Sequence, residues 1–248
     1  MAIIWERMIE GHHYEVRTAG ASIRLYRNGV NHSQWNPNRP LAGSIWDLLV
    51  LPTLFRDSGA IRDVLILGFG AGSVGRQIDA LLEPERIVGI ELDPIHLTIA
   101  DGFFECAQSC QMVAADAVEW VQDNTSEDRY DVIIEDLYAE ADGLPVRCVP
   151  MDTAWCAALG QMLRPGGLLI FNMIDPDKVK HLPIFQSKKL RQRFSESIMY
   201  RIQGYENRVV AFSDQPFKRA VLDAQMKQII QKFPACRGVQ KRYVMSRC

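Results

Sequence analysis

The run from Val64 to Gly75, VLILGFGAGSVG, leaves this chain few folds to choose from. Val64, Leu65, Ile66 and Leu67 make a buried strand, and the chain then turns through Gly68, Gly70 and Gly72 into a helix with Val74, Ile78, Leu81 and Leu82 at helical spacing. A strand-to-helix turn of this kind uses glycine where backbone angles are unusual and where ligand atoms press on the backbone itself. Acids follow at the ends of the next apolar stretches. Glu91 ends RIVGIE 19 positions after Gly72, Asp116 follows QMVAA 25 positions later, and Asp136 closes YDVIIED another 20 on. In an open parallel sheet the carboxyl ends of the strands line one crevice, so these features are expected to meet one ligand. The residue types suit an adenosine: a carboxylate accepts from both hydroxyls of a ribose, and a short acid before a helix (Asp116, then AVEWVQ) accepts from the adenine amino group. A nicotinamide dinucleotide fits less well, because its fingerprint places a third glycine or alanine at Ser73 rather than Gly72.

The rest of the chain reads as alternating strand and helix around that turn. After VLILG come a helix to Leu82, IVGIEL, a helix over 94–104, MVAAD, a helix over 117–122 and DVIIED. A long loop, LYAEADGLPVRCVP, leads to Asp152 as the cap of the helix TAWCAALGQML, and ArgProGlyGly at 164–167 turns into the strand LLIFNMI. A helix over 188–194, strands SIMYRI and VVAFS, and a last helix from about Phe217 to Phe233 complete the pattern. Residues 1–40 alternate apolar and polar positions between turn signals at Gly20 and AsnGly 28–29, which predicts antiparallel strands. SIWDLLVLPTLF then makes a helix ended near Pro52. The expected division is therefore a β-rich domain with its connecting helix over 1–58 and an α/β domain over 59–248.

Composition bounds the classes of function. A chain of 248 residues with 48% hydrophobic content can bury a sizeable core, and no apolar stretch reaches the ~18 residues of a membrane helix. MAIIWERMIEGHH has no secretory pattern, and the six cysteines form no CxxC pair; buried thiols in a cytoplasmic protein, with no structural metal, are the expectation. His12 and His13 are adjacent, so on a strand they face opposite ways and are assigned no role. The net charge of −2 hides an asymmetry: residues 178–248 hold 16 Lys and Arg against 4 acids. Its charges interleave with apolar residues as on a solvated helix face, and no aromatic-basic stripe accompanies them, so nucleic acid is not an expected partner.

RLYRNGVNHSQW, LGFGAGSVGRQI, VGIELDP, AADAVEWV, YDVIIED and LRPGGLLIFN together resemble the spermidine synthase (polyamine aminopropyltransferase) family over nearly the full length, within the wider class I S-adenosylmethionine-dependent transferases. The resemblance implies a Rossmann-like, mostly parallel seven-stranded sheet flanked by helices, with N-terminal strands that often pair with a second subunit, hence a homodimer. It gives Glu91 the ribose and Asp116 the adenine. The family's glutamine beside the methionine-derived part of the ligand has its nearest counterpart in Gln34. The cosubstrate implied is decarboxylated S-adenosylmethionine, or S-adenosylmethionine itself, and the partner is a small-molecule acceptor, an amine.

One departure bears on that acceptor. Polyamine-forming members carry D-S-S-D-P at the end of the fourth strand, where this chain reads Asp136-Leu137-Tyr138-Ala139-Glu140. Asp136 remains, but the second acid is Ala139, with Glu140 one step out of place, and a polycation needs several fixed carboxylates to offset its desolvation. Asp136 is the candidate base for an amine nucleophile, the plainer alternative being a cap on the following loop. Tyr138 is the candidate hydroxyl or aromatic wall, and His32, Trp35 and Tyr26 are candidates for the mouth. Three readings follow: aminopropyl transfer to an amine other than ordinary putrescine, methyl transfer to a small molecule, or nucleoside binding without turnover. They separate at the ligand carboxylate, which needs a donor near Gly68–Gly72; Arg76 is the nearest candidate.

Overall fold

The computed structural model describes residues 1–124, 129–141 and 144–248, with side chains outside 140–145. Four antiparallel strands come first: β1 (Ala2–Ile9), β2 (His12–Ala19), β3 (Ser22–Arg27) and β4 (Val30–Trp35), paired in chain order. Gly11, Gly20 and Gly29 take positive φ in the three turns between them, the left-handed geometry tight hairpins require. Helix α1 (Ile45–Val50) and a 3-10 turn over Leu51–Phe55 then lead into the sheet domain, with Pro52 at the changeover.

The second part alternates β5 (Asp63–Leu67), α2 (Ser73–Leu82), β6 (Arg86–Glu91), α3 (Pro94–Gly102), β7 (Gln111–Ala114), α4 (Ala117–Asp123) and β8 (Tyr130–Glu135). A short hairpin follows, β9 (Tyr138–Ala141) with β10 (Leu144–Arg147), where the sequence suggested only a loop. Then come α5 (Thr153–Met162), β11 (Leu163–Met173), α6 (Pro183–Gln186), α7 (Lys188–Arg193), β12 (Glu196–Ile202), β13 (Arg208–Ser213), α8 (Arg219–Lys232) and β14 (Tyr243–Arg247). Asp152 caps α5 as its position predicts, its Oδ1 accepting from the Trp155 amide at 2.8 Å. Arg164–Gly167 lie inside β11 rather than in a turn before it.

The large sheet runs β14-β12-β13-β11-β8-β5-β6-β7. The five strands from β11 to β7 are parallel, whereas β13, β12 and β14 are antiparallel to their neighbours. The sheet thus has eight strands. The eighth, β14, is held by a contact that residue patterning cannot reveal: the Tyr243 hydroxyl donates to Asp47 at 2.5 Å. Asp47 is fully buried within α1 and also accepts from Gln77 of α2 at 2.7 Å, so β14, the connecting helix and the helix after the glycine turn share one carboxylate.

Alternation along the central strands builds two cores. Val64 and Ile66 face Leu48, Ile78, Ile99 and Met226, while Leu65 and Leu67 face Val121, Leu159 and Leu190. Burying each such side chain contributes roughly 1.5–3 kcal/mol. Tyr14, Val16, Leu25 and Trp35 of the small sheet join the first core, so the N-terminal strands pack directly over α3 and the glycine turn.

Strand order reverses between β5 and β8. In a doubly wound sheet that switch opens a crevice at the carboxyl ends of the strands.

Candidate active site

At the switch point the chain passes close to itself. Gly68 has φ +83°, and a Cβ there would run into the carbonyl oxygen of Asp136. Phe69 turns inward and fills the space left by three glycines: a Cβ on Gly72, Gly75 or Gly89 would collide with its ring. The turn is therefore pegged from below by one aromatic residue. Above it, Ser33 of β4 accepts from the Ala71 amide at 2.8 Å, and Ser73 accepts from the Gln34 amide at 2.6 Å, which joins the small sheet to the turn.

The crevice over this turn has a volume of about 650 Å³, within the range of small-molecule sites. Gly68, Gly70, Glu91, Asp116, Asp136 and Tyr138 all line it. Glu91 is anchored: one carboxylate oxygen accepts from the Gly70 amide at 2.6 Å and the other from the Asp93 amide at 2.9 Å. Burial pushes its pKa up, against those two amides. Asp116 caps α4, its Oδ1 accepting from the Val118 and Glu119 amides at 2.7 and 3.1 Å. One oxygen does the capping and leaves the other for a ligand donor. The capping and ligand-binding readings of this aspartate are compatible.

Asp136 lies at the tip of β8, and Asn172 of β11 donates to its Oδ1 at 2.7 Å. Asn207 in turn donates to the Asn172 side-chain oxygen at 3.0 Å, fixing the amide's orientation. Burial raises the Asp136 pKa, partly offset by the Asn172 hydrogen bond and the Arg147 charge. A carboxylate so placed is oriented and more basic than one in water, as a proton acceptor needs.

Several sequence expectations change. The Gln34 side chain does not reach the crevice: its Oε1 accepts from Arg24 at 2.7 Å, because the β3–β4 register shifts between Ser33 and Asn31, and the bulge this leaves at His32 puts residues 32 and 34 on different faces where plain alternation would put them on one. His32 lines the crevice in its place. Gly72 does not line the crevice, and packing alone requires a glycine there because Cys106 and Phe69 occupy the space beside it. The Tyr138 hydroxyl is already engaged, donating to the Asn172 carbonyl at 2.6 Å and accepting from the Ile174 amide at 3.2 Å, so Tyr138 offers a ring wall rather than a proton. Arg76 also lies outside the crevice, its guanidinium 5.4 Å from the Trp35 ring centroid and 3.5 Å from Asp79. Trp35 and Tyr26 do not line the crevice, and of the cysteines Cys148 and Cys248 are exposed.

Several residues of the site escape sequence reasoning. His96 of α3 is buried against the crevice, 5.2 Å from the His32 ring, and burial lowers its pKa to about 4, so it is neutral near pH 7. Tyr14 donates to Asp93 at 2.7 Å on the same wall. Glu135 is fully buried behind Asp136, paired with Arg147 of the β9–β10 hairpin and accepting from the Trp155 indole at 3.2 Å. The available signals were polar residues inside apolar runs: Glu135 in YDVIIED and Asn172 in LLIFNMI. Away from the crevice, Glu6, His13 and Glu15 bring ligand-type atoms within 4.8 Å of one another on the small sheet; His13 bonds Glu6 at 2.7 Å and Glu15 pairs with Arg17. No helix among the described residues is long and apolar enough to cross a membrane.

Sheet order, glycine turn and the acid on each following strand define the class, the class I S-adenosylmethionine-dependent transferase fold with an added N-terminal antiparallel sheet. Within it, the chain belongs to the spermine/spermidine synthase domain family, whose model matches residues 50–213. A probable spermidine synthase from Corynebacterium glutamicum superposes with a TM-score of 0.72 at 17% identity, covering 93% of this chain and 88% of that one. Human methyltransferase-like protein 13, solved in complex with SAH, gives 0.63 at 19% identity, over 78% and 93%. Among curated proteins, the eEF1A lysine and N-terminal methyltransferase homolog of Drosophila melanogaster is 25% identical over 164 residues, 63% of this chain and 24% of that protein. The chain spans about a quarter of the length of the curated eEF1A methyltransferases it matches.

Proposed function

We propose that the chain is a transferase that moves an aminopropyl group from decarboxylated S-adenosylmethionine to an amine of low charge. The observation that carries this reading is the convergence of Gly68, Gly70, Glu91, Asp116 and Asp136 on one crevice. Glu91 accepts from the ribose hydroxyls, Asp116 from the adenine amine, and Gly68 and Gly70 let the nucleoside lie against the backbone. The sulfonium supplies an electrophilic carbon. Asp136, held by Asn172, orients the nucleophile and takes its proton, and the ring of Tyr138 walls the site.

Two features favour the decarboxylated cosubstrate. Arg76 is committed to Trp35 and Asp79, and Arg27, which does line the crevice, lies 4.0 Å from Asp93 and over the Tyr14 ring. Neither is a free cation at the glycine turn for a methionine carboxylate. The acceptor side argues against putrescine, since Ala139 stands where the family's polyamine-forming members carry an acid. The methyl-transfer reading is favoured by the resemblance to several curated methyltransferases, the Drosophila homolog among them. Incubation with each cosubstrate and a panel of mono- and diamines, followed by mass spectrometry, distinguishes the two. An aminopropylated monoamine with methylthioadenosine supports the proposal. A methylated product with S-adenosylhomocysteine overturns it in favour of methyl transfer, and efficient spermidine formation overturns the argument from Ala139.

A further inference from the structure

The basic C-terminal segment, which lends Tyr205 and Asn207 to the crevice, also builds a second cavity. It lies between α8 and the β12–β14 end of the sheet, has a volume of about 520 Å³, and shares no residue with the crevice. Leu222, Met226 and Met245 give it an apolar lining. Tyr200 of β12 also lines it, is only 3% exposed, and has a buried hydroxyl with no hydrogen-bond partner among the described residues. A buried hydroxyl without a partner is unusual in a folded protein and marks a place where a partner is missing. Burial holds the proton on this phenol, so near neutral pH the group is a standing donor. Two cations stand at the rim. Arg219 shares its charge with Asp223 at 2.9 Å, and Lys227 has no ion pair among the described residues.

From this arrangement we infer that the cavity is a binding site for a small amphipathic anion, an apolar chain or ring carrying one carboxylate. The apolar body lies on Leu222, Met226 and Met245. The carboxylate accepts from Tyr200 and faces the net positive rim of Arg219, Asp223 and Lys227. A cationic ligand of the same size leaves the Tyr200 donor unsatisfied and meets like charge. A purely apolar one leaves the donor unsatisfied as well.

The probe is sodium octanoate, titrated into the full chain by isothermal calorimetry, with octylammonium chloride as the charge-reversed control and methylthioadenosine as the crevice ligand. The expected result is saturable binding of one octanoate per chain, at least tenfold tighter than octylammonium. Tyr200→Phe is expected to weaken it about fivefold and Arg219→Gln by a similar factor, with methylthioadenosine binding unchanged in both. Arg219→Gln changes an exposed side chain, so it keeps the test open if Tyr200→Phe folds poorly. Absence of saturable octanoate binding overturns the proposal. So does equal affinity for octylammonium, affinity unchanged in the two variants, or displacement of octanoate by methylthioadenosine.

Discussion

At the scale of single residues, the site divides its carboxylates by what already holds them. Asp136 has one oxygen bonded to Asn172 and a pKa raised by burial, so as a base it is active when deprotonated and loses activity as pH falls. The acid limb of the turnover profile is therefore expected above the usual aspartate range. Asp136→Asn is expected to cut turnover by about 10²–10⁴-fold while leaving methylthioadenosine affinity within about twofold, since asparagine keeps the shape and cannot take the proton. Single-turnover kinetics and calorimetry check the two halves separately. Glu91 has a double task, holding the Gly70 and Asp93 amides while offering its remaining lone pairs to a ribose. Glu91→Gln is expected to lose about 1–2 kcal/mol of methylthioadenosine binding, read by calorimetry. Unchanged affinity would remove Glu91 from the nucleoside site.

Among the elements, the β9–β10 hairpin depends on one buried ion pair. Arg147 reaches back from β10 to Glu135, whose pKa burial pushes up to about 7 despite the Arg147 charge. An acid with a folded-state pKa above its usual 4.5 binds its proton more tightly when folded, so unfolding free energy is expected to fall as pH rises from about 4.5 through about 7. Glu135→Gln should flatten that slope in urea titrations. Arg147→Leu leaves the buried acid without its cation and is expected to cost about 3 kcal/mol at pH 8, with the double change Glu135→Gln, Arg147→Leu recovering part of it. The hairpin also shows why some elements escaped the sequence. The strand-turn-helix alternation from Val64 to Asp136 was legible because each apolar run ends in a glycine or an acid at the right spacing. LYAEADGLPVRCVP carries no such period, and its order comes from Arg147 reaching a residue twelve positions away. Glu91, Asp116 and Asp136 were legible for the same reason as the strands they end. Gln34 was misplaced because the side of a strand its neighbour faces depends on register, and His96 was missed because one histidine on a helix carries no sequence signal.

In the molecule as a whole, the small N-terminal sheet is the part with unfinished surface. Among the described residues β1 pairs only with β2, and Met1, Ile3, Ile4 and Met8 are at least half exposed. An open edge strand with apolar side chains is a pairing surface, and we propose that it joins a second copy of this chain. Light scattering at micromolar concentration is expected to give a dimer, and Ile4→Lys with Met8→Glu a monomer. A monomeric wild type would refute this. The glycine turn has the opposite character. With Phe69 wedged into the hollows of Gly72, Gly75 and Gly89, and with Ser33 and Glu91 bonded to its amides, it has no slack to take up. A loop already in its bound shape adds no slow ordering step to association. Stopped-flow mixing with methylthioadenosine, followed through Trp46 on the crevice wall, should then give a rate that climbs linearly with concentration, without a plateau. A Phe69→Ala chain, its turn free to sample other shapes, should instead saturate at a rate set by the turn's own motion.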